Sequence, residues 1–263
     1  MTALSPYGSW KSPITTDLIV GNSISLSQPA FDGDDLYWVE RRPTEEGRST
    51  LVKRAKDGTI TDLLPRSFNA RTRVHEYGGG DFAVSDGILY FSNFKDQRLY
   101  RLLPGEEPQP ITPEANMRYA DGMVDQRRNR LLCVCEDHTE SDIQAVNSIV
   151  SVRLDGHGSV EVLVSGNDFY AYPRLSPDGS RLAWLTWNHP NMPWDGTELW
   201  VADLNETGAP VNARQVAGGK TESIFQPQWS PSGQLYYVSD RTGWWNIYRL
   251  GSEQAGPVYK RDV

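Results

Sequence analysis

Apolar residues in this chain fall in short runs, separated by turns rich in Gly, Pro, Asp and Ser. Runs such as LAWL, LYYV and LLCV are apolar at successive positions, as expected of strands covered on both faces. Two segments match closely, YPRLSPDGSRLAWLT (172–186) and QPQWSPSGQLYYVSD (226–240). Weaker copies are PAFDGDDLYWVE (29–40), FAVSDGILYFSN (82–93) and GMVDQRRNRLLCV (122–134). The copies are anchored by Leu36, Leu89, Leu131, Leu182 and Leu235, at steps of 53, 42, 51 and 53 residues. A second apolar segment follows each anchor: STLVKR, QRLYRL, NSIVSV, TELWVA and WNIYRL. In the first four copies a turn and a further strand come next, in KDGTITDLL, PGEEPQPIT, DGHGSVEVLV and NETGAPVNARQVA.

Each repeat therefore predicts four short strands, and no segment has a convincing helical pattern. A four-stranded unit recurring every 40–55 residues or so marks a β-propeller blade. The expected fold is all-β, with about five blades at 28–66, 74–113, 119–166, 169–219 and 222–250 in a propeller spanning 28–263, after an N-terminal extension at 1–27. The last blade lacks a clear fourth strand unless GPVYKR supplies it. Ser176-Pro177-Asp178-Gly179 suits a type I turn, with proline second and glycine fourth.

Strand alternation sorts the connections onto two faces. The A–B and C–D connections are plain turns: FDGDD, SDG, SPDG, SPSG, KDG and LDG. The long segments are B–C loops: ERRPTEEGRST (40–50), EDHTESDIQAVN (136–147), WNHPNMPWDGTE (187–198) and SDRTGWWN (239–246). RTRVHEYGGG (71–80) links one blade to the next and falls on the same side as the B–C loops. His75, Glu76, His189 and Trp194 are expected on this face and the SPDG and SPSG turns on the other. Function concentrates on loops carried by a rigid scaffold, so the loop-rich face is the candidate working surface.

Composition narrows the functional classes. Nine tryptophans and 11% aromatic residues allow a large core within 263 residues. A formal charge of −8 disfavours nucleic-acid binding. The N-terminal sequence MTALSPYGSWKSPITTD reads as neither signal nor transit peptide, and no apolar run approaches membrane-spanning length, so a cytoplasmic location without membrane contact is expected. Cys133 and Cys135, two apart on a strand, read as small buried hydrophobes.

No G-x-S-x-G elbow, P-loop or dinucleotide fingerprint occurs. HEYGGG fails H-E-x-x-H because Gly79 stands at the second histidine position. Of the four histidines, His75, His138 and His189 could share the loop face, while His157 falls in a C–D turn on the other. Their spacing suggests no metal site, FDGDD lacks full calcium-loop spacing, and neither metal nor cofactor is expected. The glycines of HEYGGG could let the link pass close to the propeller axis, or Glu76 and Tyr77 could also face a ligand. In WNHPNMPWDG, Trp187 and Trp194 are expected to cover the blade, with Pro190 and Pro193 fixing the loop, unless the loop serves an interface. Arg241 is expected to pair with a blade aspartate.

YGSWKSPITTDLIV, VHEYGGG, YFSNFKDQRLYRL, DFYAYPRLSPDGSRLAWLTWNHPNMPWDGTELW and SDRTGWWNIYRL closely resemble the N-terminal propellers of prolyl-oligopeptidase family peptidases, of the dipeptidyl aminopeptidase or acylaminoacyl-peptidase-like kind. The resemblance runs from about Tyr7 to Leu250. It implies a seven- or eight-bladed propeller capping an α/β-hydrolase that carries a Ser-Asp-His triad. That hydrolase and the remaining blades have no counterpart here, so no catalytic residue carries over. The resemblance implies a non-catalytic part of a serine peptidase that gates peptide access, its partners being peptide substrate and the hydrolase domain. The alternative is a self-standing TolB-like module that binds another protein. A lactonase-type propeller enzyme, with metal on its axis, is disfavoured by A strands rich in Pro, Phe, Ala, Leu and Trp. The residues expected to face substrate or hydrolase are His75, Glu76, Tyr77, His189, Trp194 and Arg241. Glu76 is the expected contact for a substrate's N-terminal amine, as a buried carboxylate beside a cation. An incomplete ring should expose apolar blade faces, and so self-associate, contract or be marginally stable.

Overall fold

The computed structural model describes residues 6–21, 23–141, 143–155, 158–251 and 258. His157 and all of GPVYKR except Val258 lie outside the described residues. The chain forms two compact units, 1–69 and 70–263.

The first unit holds one antiparallel sheet in the order β1 (Ser25–Asp32), β2 (Asp35–Arg42), β3 (Arg48–Arg54), β4 (Ile60–Asp62). A single helical turn, α1 (Thr16–Val20), precedes it, capped by the Thr15 hydroxyl accepting from the Leu18 N–H. Leu51 and Val52 are buried, while the anchor Leu36 is only half-buried.

The second unit repeats the same meander. Its sheets are β5 (Phe82–Ser85) to β8 (Gln109–Pro110), by way of β6 (Ile88–Ser92) and β7 (Leu99–Leu102); then β9 (Met117–Asp125), β10 (Arg130–Asp137), β11 (Val146–Arg153) and β12 (Val160–Ser165). They continue with β13 (Phe169–Leu175), β14 (Arg181–Trp187), β15 (Glu198–Leu204) and β16 (Pro210–Gly218), and finally β17 (Ile224–Trp229), β18 (Leu235–Ser239) and β19 (Asn246–Arg249). These four sheets and that of the first unit are five β-propeller blades among the described residues, the last with three strands. The Val258 N–H donates to Ile247 O (2.7 Å) beside that last strand. No helix among the described residues is long and apolar enough to cross a membrane.

Core residues explain the doubly apolar strands. Leu131, Cys133 and Cys135 pack with Tyr90 and Leu99 of the preceding sheet, whereas Leu132 and Val134 face Leu182 and Trp184 of the next. Both thiols are free and buried. Leu199, Val201 and Leu185 meet Ile224, Leu235 and Tyr237 in the same way. Leu89, Leu131, Leu182 and Leu235 are at most 2% exposed, as their repeat position requires. In the SPDG turn the Gly179 N–H donates to Ser176 O (2.8 Å), with Gly179 at φ +67°, and Gly233 closes SPSG likewise on Ser230 (2.9 Å).

First strands share a device. The pairing of β1, β9, β13 and β17 with the second strand breaks register at Gln28-Pro29, Asp121-Gly122, Tyr172-Pro173 and Gln226-Pro227. Gln28, Asp121, Tyr172 and Gln226 are all left-handed, at φ +54°, +56°, +52° and +48°. Proline cannot donate to a sheet ladder, so three of the four sites bulge where a donor is missing. In the second unit the bulge places Asp121 between the link before β5 and the first strand β13. Its Oδ1 accepts from Gly80 N–H (2.6 Å) and its Oδ2 from Tyr172 N–H (3.0 Å), while its own N–H donates to Gly80 O (2.8 Å).

Candidate functional site on the loop face

The link RTRVHEYGGG is pinned from both ends. Ala70 bridges to Asn93, the Arg71 N–H donates to Ser92 O (3.0 Å), and the Thr72 N–H donates to Asp81 Oδ1 (2.7 Å). Val74 is fully buried in the core. A tight turn follows, with Glu76 N–H on Arg73 O and Gly78 N–H on Val74 O, both 2.9 Å. It puts His75 and Glu76 consecutively in the left-handed region, at φ +57° and +64°. Two non-glycine residues there are strained and need outside support. It comes from Glu136, whose Oε1 accepts the His75 N–H (2.6 Å), and from the ring of Trp187, 5.1 Å from the imidazole. Gly79 and Gly80 then run hard against the next blade. A Cβ on Gly80 would sit 2.6 Å from Asp121 Oδ1, and one on Gly79 3.0 Å from Ala120 Cβ. Glycine at these two positions permits the close passage against Ala120 and Asp121.

The turn borders a cavity of ≈ 520 Å³ lined by His75, Glu76, Glu136, His138, Asp168, Phe169 and His189. Three histidines thus meet on the loop face. The SPDG turn lines a different cavity, with Asp125, Arg174 and Trp229. Glu136 is almost fully buried, with His138 Nε2 at 3.2 Å and Arg118 at 3.6 Å from its second oxygen. His189 is exposed, its ring Nδ1 lying 2.9 Å from Asp168 Oδ2, and its backbone N–H donates to the same oxygen (2.8 Å). That backbone bond, with the ring contact, holds the Asp168 carboxyl below its usual range. Burial lowers the His75 pKa below 6.5, against the raising fields of Glu136 and Asp121. Its Nε2 is buried without a hydrogen-bond partner. No group of three His, Cys, Asp or Glu side chains among the described residues is arranged to hold a metal ion.

The remaining expected residues separate. Glu76 is not buried: its side chain is 77% exposed, and it pairs with Arg118 Nη1 at 2.5 Å, which lowers its pKa. Arg118 already takes one of its oxygens. Tyr77 is exposed and packs on His75 at 5.6 Å. Trp187 and Trp194 do not cover the blade together, since Trp187 is 5% exposed and Trp194 62%. The loop bearing Trp194 is closed by Met192 N–H on Asp195 Oδ2 (2.9 Å) and Ser223 Oγ–H on Pro193 O (2.6 Å). Arg241 pairs with a glutamate, not an aspartate: Glu222 lies 2.8 Å away, and the Tyr248 ring centroid 4.7 Å. Sequence reasoning missed Asp121, Glu136 and Arg118. The bulge at Asp121-Gly122 lacks the proline that marks its three counterparts, so only the repeat register could have singled it out.

No family model and no curated protein sequence matches the chain. Solved structures do. A puromycin hydrolase superposes with TM-score 0.88 at 37% identity, covering 99% of this chain. A Mycobacterium tuberculosis puromycin-hydrolyzing peptidase gives TM-score 0.84 at 41% identity, again over 99% of this chain. The chain is a homologue of these peptidases, in the prolyl-oligopeptidase family. It spans 43% and 42% of their respective lengths, and corresponds to a propeller portion. TolB from Acinetobacter baumannii aligns at 15% identity and TM-score 0.56, over 90% of this chain and 57% of its own, which shows the fold alone.

Proposed function

We propose that this chain is the non-catalytic propeller portion of a serine peptidase, screening peptides on their way to an α/β-hydrolase domain. The observation that carries this is the 41% identity to a puromycin-hydrolyzing peptidase across 99% of the chain but 42% of that enzyme. The loop face supports it. The cavity there is bordered by Glu76, Glu136 and Asp168, a setting that attracts a peptide's cationic amine. The His138 and His189 rings each lie against a carboxylate, of Glu136 and Asp168 respectively.

In this reading His75, Glu76, Tyr77, His189 and Trp194 face substrate or hydrolase, and Arg241 braces the last blade. Glu76 remains the contact for a free amine, through the oxygen that Arg118 leaves open. A cytoplasmic location accompanies the proposal. The test compares the purified chain with a longer polypeptide that adds an α/β-hydrolase, on aminoacyl and acylaminoacyl chromogenic substrates. The chain alone should be inactive and the longer protein active. Turnover by the chain alone, with serine-hydrolase probe labelling at a defined residue, would overturn the proposal. In the longer protein, Glu76→Ala should raise KM for free-amine peptides more than for blocked ones, and an equal effect on both removes Glu76 from substrate contact.

A further inference from the structure

A second, smaller cavity lies against the glycine link. It measures ≈ 220 Å³ and is lined by side chains of a different kind. Tyr77, Tyr172, Trp187 and Phe225 supply aromatic walls, and the Gly78–Gly80 backbone and Asp121 complete it. The Tyr172 and Phe225 rings meet edge to face at 5.2 Å and 79°. Trp187 is fixed through His75, 5.1 Å away at 62°. Tyr77 and Phe225 are 60% and 44% exposed, so the walls are reachable from solvent. An apolar cavity of about 150 Å³ is already large enough to bind benzene. A volume of ≈ 220 Å³ therefore takes one aromatic ring with its first substituent, and not a folded peptide.

Aromatic walls beside a carboxylate could also suit a cation. Here that role is filled. The Arg174 guanidinium lies 5.1 Å from the Tyr172 ring centroid. Asp121 is the carboxylate whose field acts on Arg174, and both Asp121 oxygens already accept backbone N–H groups. The charge bordering the cavity is met from within the fold, leaving an apolar space with aromatic faces.

We propose that this cavity is a subsite for a single aromatic side chain of a bound peptide, gripped by Tyr77 and Phe225 over a floor of Gly79, Gly80 and Asp121. The subsite deepens the peptide-screening function and rests on it, but its test needs no hydrolase. N-acetyl-phenylalaninamide, N-acetyl-leucinamide and N-acetyl-lysinamide are titrated into the purified chain and followed by saturation-transfer NMR and calorimetry. The phenylalanine amide should bind about three- to tenfold more tightly than the leucine amide, the margin expected of aromatic contacts beyond area burial. Tyr77→Ala and Phe225→Ala should each weaken it by a similar factor, with circular dichroism showing the fold retained. Equal binding of the phenylalanine and leucine amides, tighter binding of the lysine amide, or no binding to the folded wild-type chain would each overturn the subsite. Any of these results leaves the hydrolysis comparison of the two polypeptides unaffected, so the failure of the subsite is distinguishable from failure of the screening function.

Discussion

Removing the carboxylate of Asp121 tests how successive blades are joined. Asp121→Ala takes the acceptor from Gly80 N–H (2.6 Å) on one side and from Tyr172 N–H (3.0 Å) on the other. Hydrogen bonds to a charged group contribute about 1.5–3 kcal/mol each, so two lost bonds cost about 3–6 kcal/mol. Asp121 also sits at φ +56°, where alanine costs roughly 1 kcal/mol more than aspartate or asparagine. Asp121→Asn keeps one carbonyl oxygen and tolerates the left-handed backbone, but turns an amide N–H towards the other donor, and should cost about 2–3 kcal/mol. Urea unfolding followed by tryptophan fluorescence would report these losses as lowered midpoints at constant slope. Gly80→Ala attacks the same contact from the other side, because its Cβ would lie 2.6 Å from Asp121 Oδ1. In an Asp121→Ala background the Oδ1 contact is gone and only the tight approach to the residue-121 Cα, 3.1 Å, remains, so the two substitutions should cost less together than their sum. An Asp121→Ala protein within about 1 kcal/mol of wild type, or strict additivity with Gly80→Ala, would refute the joint.

Protonation should oppose the fold at His75. Burial lowers its folded pKa below 6.5, so the unfolded chain binds the extra proton first and stability falls as pH drops through and below that value; His75→Asn, which suits the left-handed backbone, should flatten the slope between pH 7.5 and 5.5 in urea titrations, and an unchanged slope rules His75 out as its source. Arg241→Ala removes the Glu222 pair and the stack on Tyr248, and should lower stability by about 1–2 kcal/mol; Arg241→Lys restores charge but not the planar stack, so full rescue by lysine would contradict the geometry. The last blade exposes Phe225 and Ile247 on its strands and Trp244 and Trp245 on the loop before its third strand, each at least 44% accessible, and these apolar side chains should drive association that Trp244→Ser with Trp245→Ser reduces in sedimentation velocity; a wild-type chain monomeric at all concentrations would speak against it.

The sequence by itself determined the repeat and everything that follows from local chemistry. Leu89, Leu131, Leu182 and Leu235 mark second strands, and all four are buried there. Ser176 to Gly179 close a turn because proline and glycine fit its backbone, and alternation around such turns set the loop face apart from the turn face. These signals act over a few residues or within one meander, where spacing fixes geometry. Only the tertiary structure decided which groups meet between blades. Gly80 reaches Asp121 across 41 residues, Tyr172 reaches it across 51, and His75 reaches Glu136 across 61. The first two contacts depend on the first-strand bulge at Asp121, and all three on how successive sheets pack. Trp187 and Trp194 stand seven residues apart in the sequence, yet Trp187 ends β14 and is buried with residues of the next sheet while Trp194 lies exposed on the loop beyond, and nothing local says so. Glu76 and Glu136 are equivalent as letters, but Glu76 sits on an exposed turn while Glu136 sits on a strand packed beneath the link and is buried. Inter-blade register, set by cores that many distant residues share, is what separates a structural carboxylate from one free to meet a ligand.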